Sequence, residues 1–379
     1  MGVLNFEKLP ISTLVGADRK TFDKVMEGVE RERGYRRKIA LTKCIQRILS
    51  PFYRINDRRY ERLSKEAESS NTPVFIIGHW RSGTTFVHNI FTQDEQFGYC
   101  TTYQTVFPHL MLWGYGFFTA LTKLFMPNTR ATDKMELGVD VPQEEEVALS
   151  NMTPLSHYHF LSLPQRMEHW RDKALLLNGL TDKERKEWQE AQRKLMRISL
   201  KVQNKRTFLS KNPPNTARIK ALLEVWPDAK FIYLVRNPYT VFESTRNFFT
   251  KTIASTTLQP FDKEAYEVEV LKTYKALYER YEEEKQLIPE GNLVEVRFED
   301  FEADPIKYTE QIYKQLQLGD FEAVRAKMEA YVGTKRGFKK NKYRYDERTI
   351  ALVDEWCSAA IKQWGYTLEE RRGEEVVSC

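Results

Sequence analysis

The pattern of apolar and polar positions divides the chain into long amphipathic stretches broken by a few short, wholly apolar runs. Val74 to Ile77 form one such run, without alternation, the pattern of a parallel strand buried on both faces. It stops at Gly78, and from Thr84 onward Phe86, Ile90 and Phe91 recur at helical spacing, so this segment predicts strand, loop and helix in succession. Phe231 to Val235 is a second buried-strand run. It ends on Arg236, and Asn237 followed by Pro238 supplies an N-cap and a first helical position. A short apolar stretch in FLSKNPPNT predicts a third strand leading to Lys211, with Asn215 capping the next helix. NLVEVRF at 292–298 alternates like an edge strand, and Asp304-Pro305 opens another helix. Thr181 and Glu184 spell a capping box for a helix over 181–204, with Trp188, Ala191, Leu195, Ile198 and Val202 on one face. Asp346 starts a last helix that runs to about Gly365.

Two further stretches carry a biased pattern. Residues 17–70 read as charged helices rich in Arg and Lys, including GYRRKIALTKCIQRIL. Such a basic amphipathic stretch either keeps a solvated face, the commoner case, or touches an anionic membrane. Residues 105–126, TVFPHLMLWGYGFFTALTKLFM, are the most apolar in the chain. Pro108, His109, Gly114, Gly116 and Lys123 interrupt them, which speaks against a membrane span. The segment is expected instead to be a helix or lid lining an apolar acceptor pocket, with a dip into a membrane surface left open and ordinary core as the alternative. The expected organisation is a helical N-terminal extension over 1–71 and an α/β domain over 72–379. That domain carries a largely helical, partly apolar insertion at about 95–205.

Composition narrows the function classes. Lys plus Arg number 59 against 53 Asp plus Glu, a net charge of +6, too mild to require a nucleic-acid partner, and no nucleic-acid module motif is present. Cys44, Cys100, Cys357 and Cys379 are scattered without C-x-x-C spacing, fitting neither a metal site nor a disulfide framework. The start MGVLNFEKLP has no apolar core of a secretory signal, and Phe6 stands where a myristoylation signal needs Ser or Thr. The expectation is a cytoplasmic protein, with peripheral membrane contact through the basic helices left open.

The chemistry sits at the ends of the apolar runs. PVFIIGHWRSGTT places four residues between Gly78 and Gly83, as in a phosphate-cradling loop, yet Thr84 occupies the position of the Walker A lysine. The fixed cation is Arg81, inside the loop, whose planar fork suits phosphate or sulfate oxygens. Helix N-terminal N–H groups would add to the pull on an anion. The second strand ends in Arg236 where a Walker B strand would end in a Mg²⁺-binding Asp, and Ser244 follows eight residues later. Ligands of open parallel sheets collect beyond the carboxyl ends of strands, so Arg236 and the RSGTT loop are expected on one rim. A P-loop kinase or NTPase is the first rival reading; a non-catalytic, peripheral membrane-binding protein is the second.

Strand-GHWRSGTTF paired with strand-VRNPYTVFES resembles the sulfotransferases that use 3′-phosphoadenosine-5′-phosphosulfate, from about residue 72 to the C-terminus. The RSGTT and PQEEE strings are closest in style to the bacterial branch with PQEDE-type motifs. The resemblance implies a three-layer P-loop-like α/β fold, with a central parallel sheet flanked by helices and with helical N-terminal and lid segments. It implies transfer of a sulfuryl group to a hydroxyl without a metal, leaving 3′,5′-bisphosphoadenosine. Arg81, Ser82, Gly83, Thr84 and Thr85 would hold the 5′-phosphosulfate, and Arg236 with Ser244 the 3′-phosphate. Phe86 and Phe298 fall at the family's adenine-side aromatics. Lys335 and Arg336, in the basic segment 335–344, loosely resemble its late cofactor-closing loop; a solvated surface loop is the alternative.

Sulfuryl transfer asks for positioned cations and an in-line nucleophile. By the same resemblance Lys211 would stabilise the leaving group. The position two residues later, which holds a base His in cytosolic relatives, is here Pro213. The base is therefore sought in DVPQEEEVALSNM, where Glu144 or Glu145 matches the motif and a buried carboxylate would have a raised pKa. A charged first helical turn is the alternative. His157 is the next candidate; with His159 it would share one face of a strand. His79 could serve the ligand or the structure. The acceptor is expected to be apolar, a sterol, a lipid or another alcohol.

Overall fold

The computed structural model describes residues 12–66, 72–125, 138–335 and 345–366. Arg336, residue 126, most of the basic segment 335–344 and Cys379 lie outside them. Among the described residues the strands are β1 (Val74–Gly78), β2 (Phe97–Gly98), β3 (Thr207–Lys211), β4 (Lys230–Val235) and β5 (Leu293–Arg297). The other elements described are helices, and the strand pairs β1–β4, β4–β5 and β2–β3 are parallel. The chain divides into two compact units. One comprises Met1–Pro73, Gln96–Asn212 and Phe248–Lys263; the other comprises Val74–Glu95, Pro213–Asn247 and Glu264–Cys379.

In the second unit β4 lies between β1 and β5, in a register pairing Val74 with Lys230 and Phe231 with Leu293. All of β1 is buried, as its unbroken apolar run requires, whereas β5 alternates between buried and accessible positions like an edge strand. Tyr233 of β4 stacks flat on Tyr281 at 3.7 Å between ring centroids. Thr216 closes the end of β1: its Oγ1 accepts from the Gly78 N–H (2.7 Å) and donates to the Gly78 carbonyl (3.1 Å). Helix Pro238–Thr256 follows β4, with Asn237 Oδ1 accepting from the Tyr239 N–H at 3.0 Å. Helix Pro305–Gln315 is capped by Asp304, and helix Glu347–Trp364 runs from the Asp346 cap to Gly365 in the left-handed region.

In the first unit the longest helix is Arg36–Leu63, and it carries Pro51 in its interior. Proline has no N–H for the carbonyl four residues back, that of Arg47. Ser50 Oγ donates to that carbonyl instead, at 3.0 Å. Phe52 stacks on Trp113 at 5.3 Å, and Asn56 Oδ1 accepts from the backbone N–H groups of Leu112 and Trp113. These contacts pin the apolar segment: helix Thr102–Val106, a short 3₁₀ turn Pro108–Leu110 and helix Tyr115–Phe125. Tyr53, Tyr103, Leu110, Phe118 and Val139 form the core it packs into. Among the described residues no helix is long and apolar enough to cross a membrane. Helix Asp182–Gln203 has the full capping box of Thr181 and Glu184, and it buries Trp188, Ala191, Leu195 and Ile198.

Two local expectations are corrected, and one strand went unread. His157 and His159 lie in a 3₁₀ helix, His157–Leu161, so residues two apart point in different directions. Asn215 sits inside a second 3₁₀ helix, Pro213–Ala217, and the residue before helix Ile219–Leu223 is Arg218. The two-residue strand β2 is too short to leave a periodic signal in the sequence.

Candidate active site

In the second unit the loop after β1 holds its cation by force of local geometry. Arg81 has φ +67, a left-handed conformation that non-glycine residues adopt only when their surroundings impose it. Its Nε donates to Ser244 Oγ at 2.9 Å, and its carbonyl accepts from Arg236 Nη1 at 3.2 Å. Two guanidiniums and one hydroxyl are thus drawn together from the ends of β1 and β4. Ser82 Oγ donates to the His79 carbonyl at 2.7 Å, tightening the turn. Gly83 caps helix Thr84–Phe91 with φ +90, and a Cβ there would lie 2.1 Å from the ring of Phe298. A Cβ on Gly78, φ +138, would lie 2.3 Å from the Leu234 carbonyl oxygen. Both glycines are therefore required by close approach as well as by backbone angle.

The Arg236 guanidinium rides over the Phe298 ring, 4.9 Å from its centroid. Phe86 meets Phe301 edge-on at 6.1 Å. Thr84 is buried and Thr85 half-buried in the first turn of the loop helix. Lys335 ends helix Glu322–Thr334 with its ammonium over Tyr331. His79 Nδ1 lies 2.9 Å from the Trp80 carbonyl, and its ring packs against Tyr274. Burial lowers its pKa to about 4, so the ring is neutral and that nitrogen is the donor. What this cluster offers an anion is two guanidiniums, a hydroxyl and an eight-residue helix N-terminus.

In the first unit the three consecutive carboxylates start helix Glu145–Met152, where the helix dipole favours acids. Gln143 N donates to the Cys100 carbonyl at 2.8 Å, which fixes the approach to this turn. The three side chains then diverge. Glu144 accepts from Lys211 Nζ at 2.7 Å and from the Tyr158 hydroxyl, and 22% of its side chain remains accessible. Glu145 is fully buried and accepts from Ser210 Oγ (2.9 Å) and the Lys211 N–H (3.1 Å). Burial raises its pKa to about 7, against the pull of those two hydrogen bonds. Glu146, equally buried, accepts from the His157 N–H (2.7 Å), Ser156 Oγ (2.9 Å) and Asn212 Nδ2 (3.0 Å).

The side chains of the last two residues of β3 and of the residue after it, Ser210, Lys211 and Asn212, thus each meet one of the three carboxylates, and the Lys211 N–H meets a second. Lys211, at the end of the strand, is 3% accessible. His157 is buried with its ring against Phe160, and His159 Nε2 lies 3.0 Å from the Thr153 carbonyl. Glu146, Tyr158, Ser210 and Asn212 were not singled out from the sequence.

A family model described as the sulfotransferase family matches residues 73–322. That span holds the glycine loop, Arg236, Lys211 and the three carboxylates, and the chain belongs to this family and is a sulfotransferase. It is 31% identical over 312 residues to omega-hydroxy-beta-dihydromenaquinone-9 sulfotransferase Stf3 of Mycobacterium bovis (strain ATCC BAA-935 / AF2122/97), covering 81% of this chain and 78% of that protein. Among solved structures it is similar to sulfotransferase STF9 from Mycobacterium avium, with a TM-score of 0.65, 15% identity, and coverage of 91% and 89% of the two chains. Sulfotransferase STF1 from Mycobacterium tuberculosis H37Rv gives a TM-score of 0.57 at 14% identity, covering 89% and 90%. The fold is accordingly the mostly helical, P-loop-like α/β fold with parallel strands.

Proposed function

We propose that this sulfotransferase moves a sulfuryl group from 3′-phosphoadenosine-5′-phosphosulfate onto the hydroxyl of an apolar, lipid-like alcohol. The observation that carries the donor assignment is the cluster of Arg81, Arg236 and Ser244 beside a loop whose glycines cannot be replaced. The cluster fits a doubly anionic nucleotide, and the residues match the family motif position by position. Arg81, Ser82, Gly83, Thr84 and Thr85 bind the 5′-phosphosulfate. Arg236 and Ser244 bind the 3′-phosphate. Phe86 and Phe298 flank the adenine, and Lys335 with Arg336 belongs to the closing loop. The donor supplies the activated sulfuryl group; no metal enters the scheme.

Glu144 is the base in this reading, and Glu145 and Glu146 are positioning residues. Of the three, Glu144 alone keeps accessible surface, whereas the other two are enclosed and committed to β3 and the 3₁₀ helix. Glu144 takes the proton of the acceptor hydroxyl as its oxygen attacks sulfur, and the Lys211 ammonium neutralises the charge that develops on the departing phosphate oxygen. Tyr158, Phe160 and Phe249 form an aromatic cluster next to Glu144. Those surroundings favour an apolar acceptor, as does the relative named for acting on an omega-hydroxylated dihydromenaquinone. We place the enzyme in the cytoplasm, working at a membrane face without spanning it.

Transfer of labelled sulfate from the donor to sterols, long-chain alcohols, phenols and sugars tests the reading, and turnover should persist in a strong chelator. Transfer to sugars alone would overturn the apolar acceptor. The donor assignment is tested at Arg236. Arg236→Ala should weaken binding of 3′,5′-bisphosphoadenosine by about 30-fold or more, the usual loss when a charge partner is truncated. Adenosine 5′-phosphosulfate, which lacks the 3′-phosphate, should bind almost as before. Equal losses by calorimetry for both nucleotides would remove Arg236 from the 3′-phosphate.

A further inference from the structure

Helix Arg36–Leu63 exposes two large aliphatic side chains, Ile48 at 63% and Ile55 at 36%. They lie seven residues apart and therefore on one stripe, with Phe52 between them. Phe52 stacks on Trp113 and meets Phe118 edge-on at 5.5 Å. The neighbour of Phe118, Phe117, is 68% exposed, and Leu121 one turn further along helix Tyr115–Phe125 is 42% exposed. Ile48, Ile55, Phe117 and Leu121 account for four of the six large hydrophobic side chains exposed among the described residues. The half-buried rings of Phe52 and Trp113 join the two helices' contributions into one patch within the first unit.

The same helix brings charge to this patch. Arg47, Arg54, Arg58, Arg59 and Arg62 are exposed along it, against a single exposed acid, Glu61. The helix's other acid over that stretch, Asp57, is ion-paired with Lys194 at 2.9 Å. Lys123 is exposed at the far end of the second helix. Long cationic side chains around projecting aliphatic and aromatic groups are the build of an element that lies in a membrane interface, its cations reaching back to lipid phosphates. Neither helix is long and apolar enough to span, so this surface can only lie upon a bilayer.

We propose that the face formed by helix Arg36–Leu63 and helix Tyr115–Phe125 docks on an anionic lipid bilayer. The occupant is a membrane rather than an acidic protein because large apolar side chains are exposed on both helices, and because exposed arginines flank and follow them along the longer helix. The proposal deepens the reading of a lipid-like acceptor, since docking would bring the enzyme to a substrate that stays in the bilayer. It is tested independently of chemistry.

Vesicles of phosphatidylcholine mixed with phosphatidylglycerol, and vesicles of phosphatidylcholine alone, are sedimented with the full-length enzyme. The wild type should bind the anionic vesicles, and raising salt should weaken that binding. Each arginine near the surface is worth about fivefold in affinity, so Arg54→Glu/Arg58→Glu should lose about 25-fold or more. Ile48→Ser/Ile55→Ser and, on the second helix, Phe117→Ser/Leu121→Ser should each bind clearly less tightly. The Arg54/Arg58 and Ile48/Ile55 pairs should keep both the wild-type melting temperature and transfer to a short, water-soluble alcohol. Failure of the wild type to sediment, wild-type binding by the variants, or equally tight binding to soluble polyglutamate would overturn the docking surface. Vesicle binding by a wild type that transfers sulfate to sugars but to no long-chain alcohol would instead count against the lipid-like acceptor alone.

Discussion

Glu144→Gln should lower kcat by about 10²–10⁴-fold, the range lost when a positioned general base is removed. Donor affinity should change little, because the glutamine keeps an oxygen for Lys211 or Tyr158 and no donor-binding group is altered. Glu145→Gln supplies the contrast. Its carboxylate is enclosed by Ser210 and the Lys211 backbone, so kcat should fall by less than about tenfold. The effect of that change should appear in stability instead. Burial raises the Glu145 pKa from 4.5 to about 7. The folded protein therefore holds this proton more tightly than the unfolded chain does. The resulting stabilisation is complete below pH about 4.5 and is lost as pH rises through about 7, an interval corresponding to about 3 kcal/mol. Urea unfolding at several pH values between these limits should show a decline in the wild type that is flattened in Glu145→Gln. Loss of turnover in Glu145→Gln with full turnover in Glu144→Gln would exchange the two roles.

Lys211→Met should lower kcat by about 10²–10³-fold, comparable to removing one preorganised donor from a developing anion. The substitution leaves Glu144 without its ammonium partner, 2.7 Å away in the native protein. Because Glu144 retains its bond to Tyr158 and some contact with water, the accompanying loss of stability should fall below the range for a fully buried pair, about 3–5 kcal/mol. A kcat loss that tracks the melting temperature across several Lys211 variants would reduce this lysine to a structural role. The two changes should also combine non-additively. Side chains in direct contact share one function, so the double variant Glu144→Gln/Lys211→Met should be little slower than the worse single variant.

The sequence made local features visible and left distant pairings dark. Gly78, Arg81 and Gly83 lie within six residues of one another, and the strand–loop–helix pattern around them is written in adjacent positions. Arg236, Ser244 and the N-cap at Asn237 were legible for the same reason. The capping box of Thr181 and Glu184 likewise needs only a four-residue window. By contrast, Lys211 and Glu144 are separated by 67 positions, and nothing near either residue announces the other. Which of three adjacent glutamates would keep accessible surface depended on where β3 and the 3₁₀ helix at His157–Leu161 come to lie, information that no local pattern holds. The same helix misled the reading of His157 and His159, because a two-residue spacing suits a strand only if the backbone is extended. The left-handed backbone of Arg81 gave no warning either, since nothing about an arginine signals that its neighbours will force it there.

The contact between position 83 and the ring at 298 has an evolutionary corollary. Loop and aromatic compete for the same volume, with a methyl at 83 falling 2.1 Å from ring carbons. The two sites should therefore drift as a couple: a lineage that trades away this glycine must already have shed Phe298 for something smaller. Such a lineage would also forfeit the platform beneath Arg236, so alignments of homologues should show all three positions changing hands together.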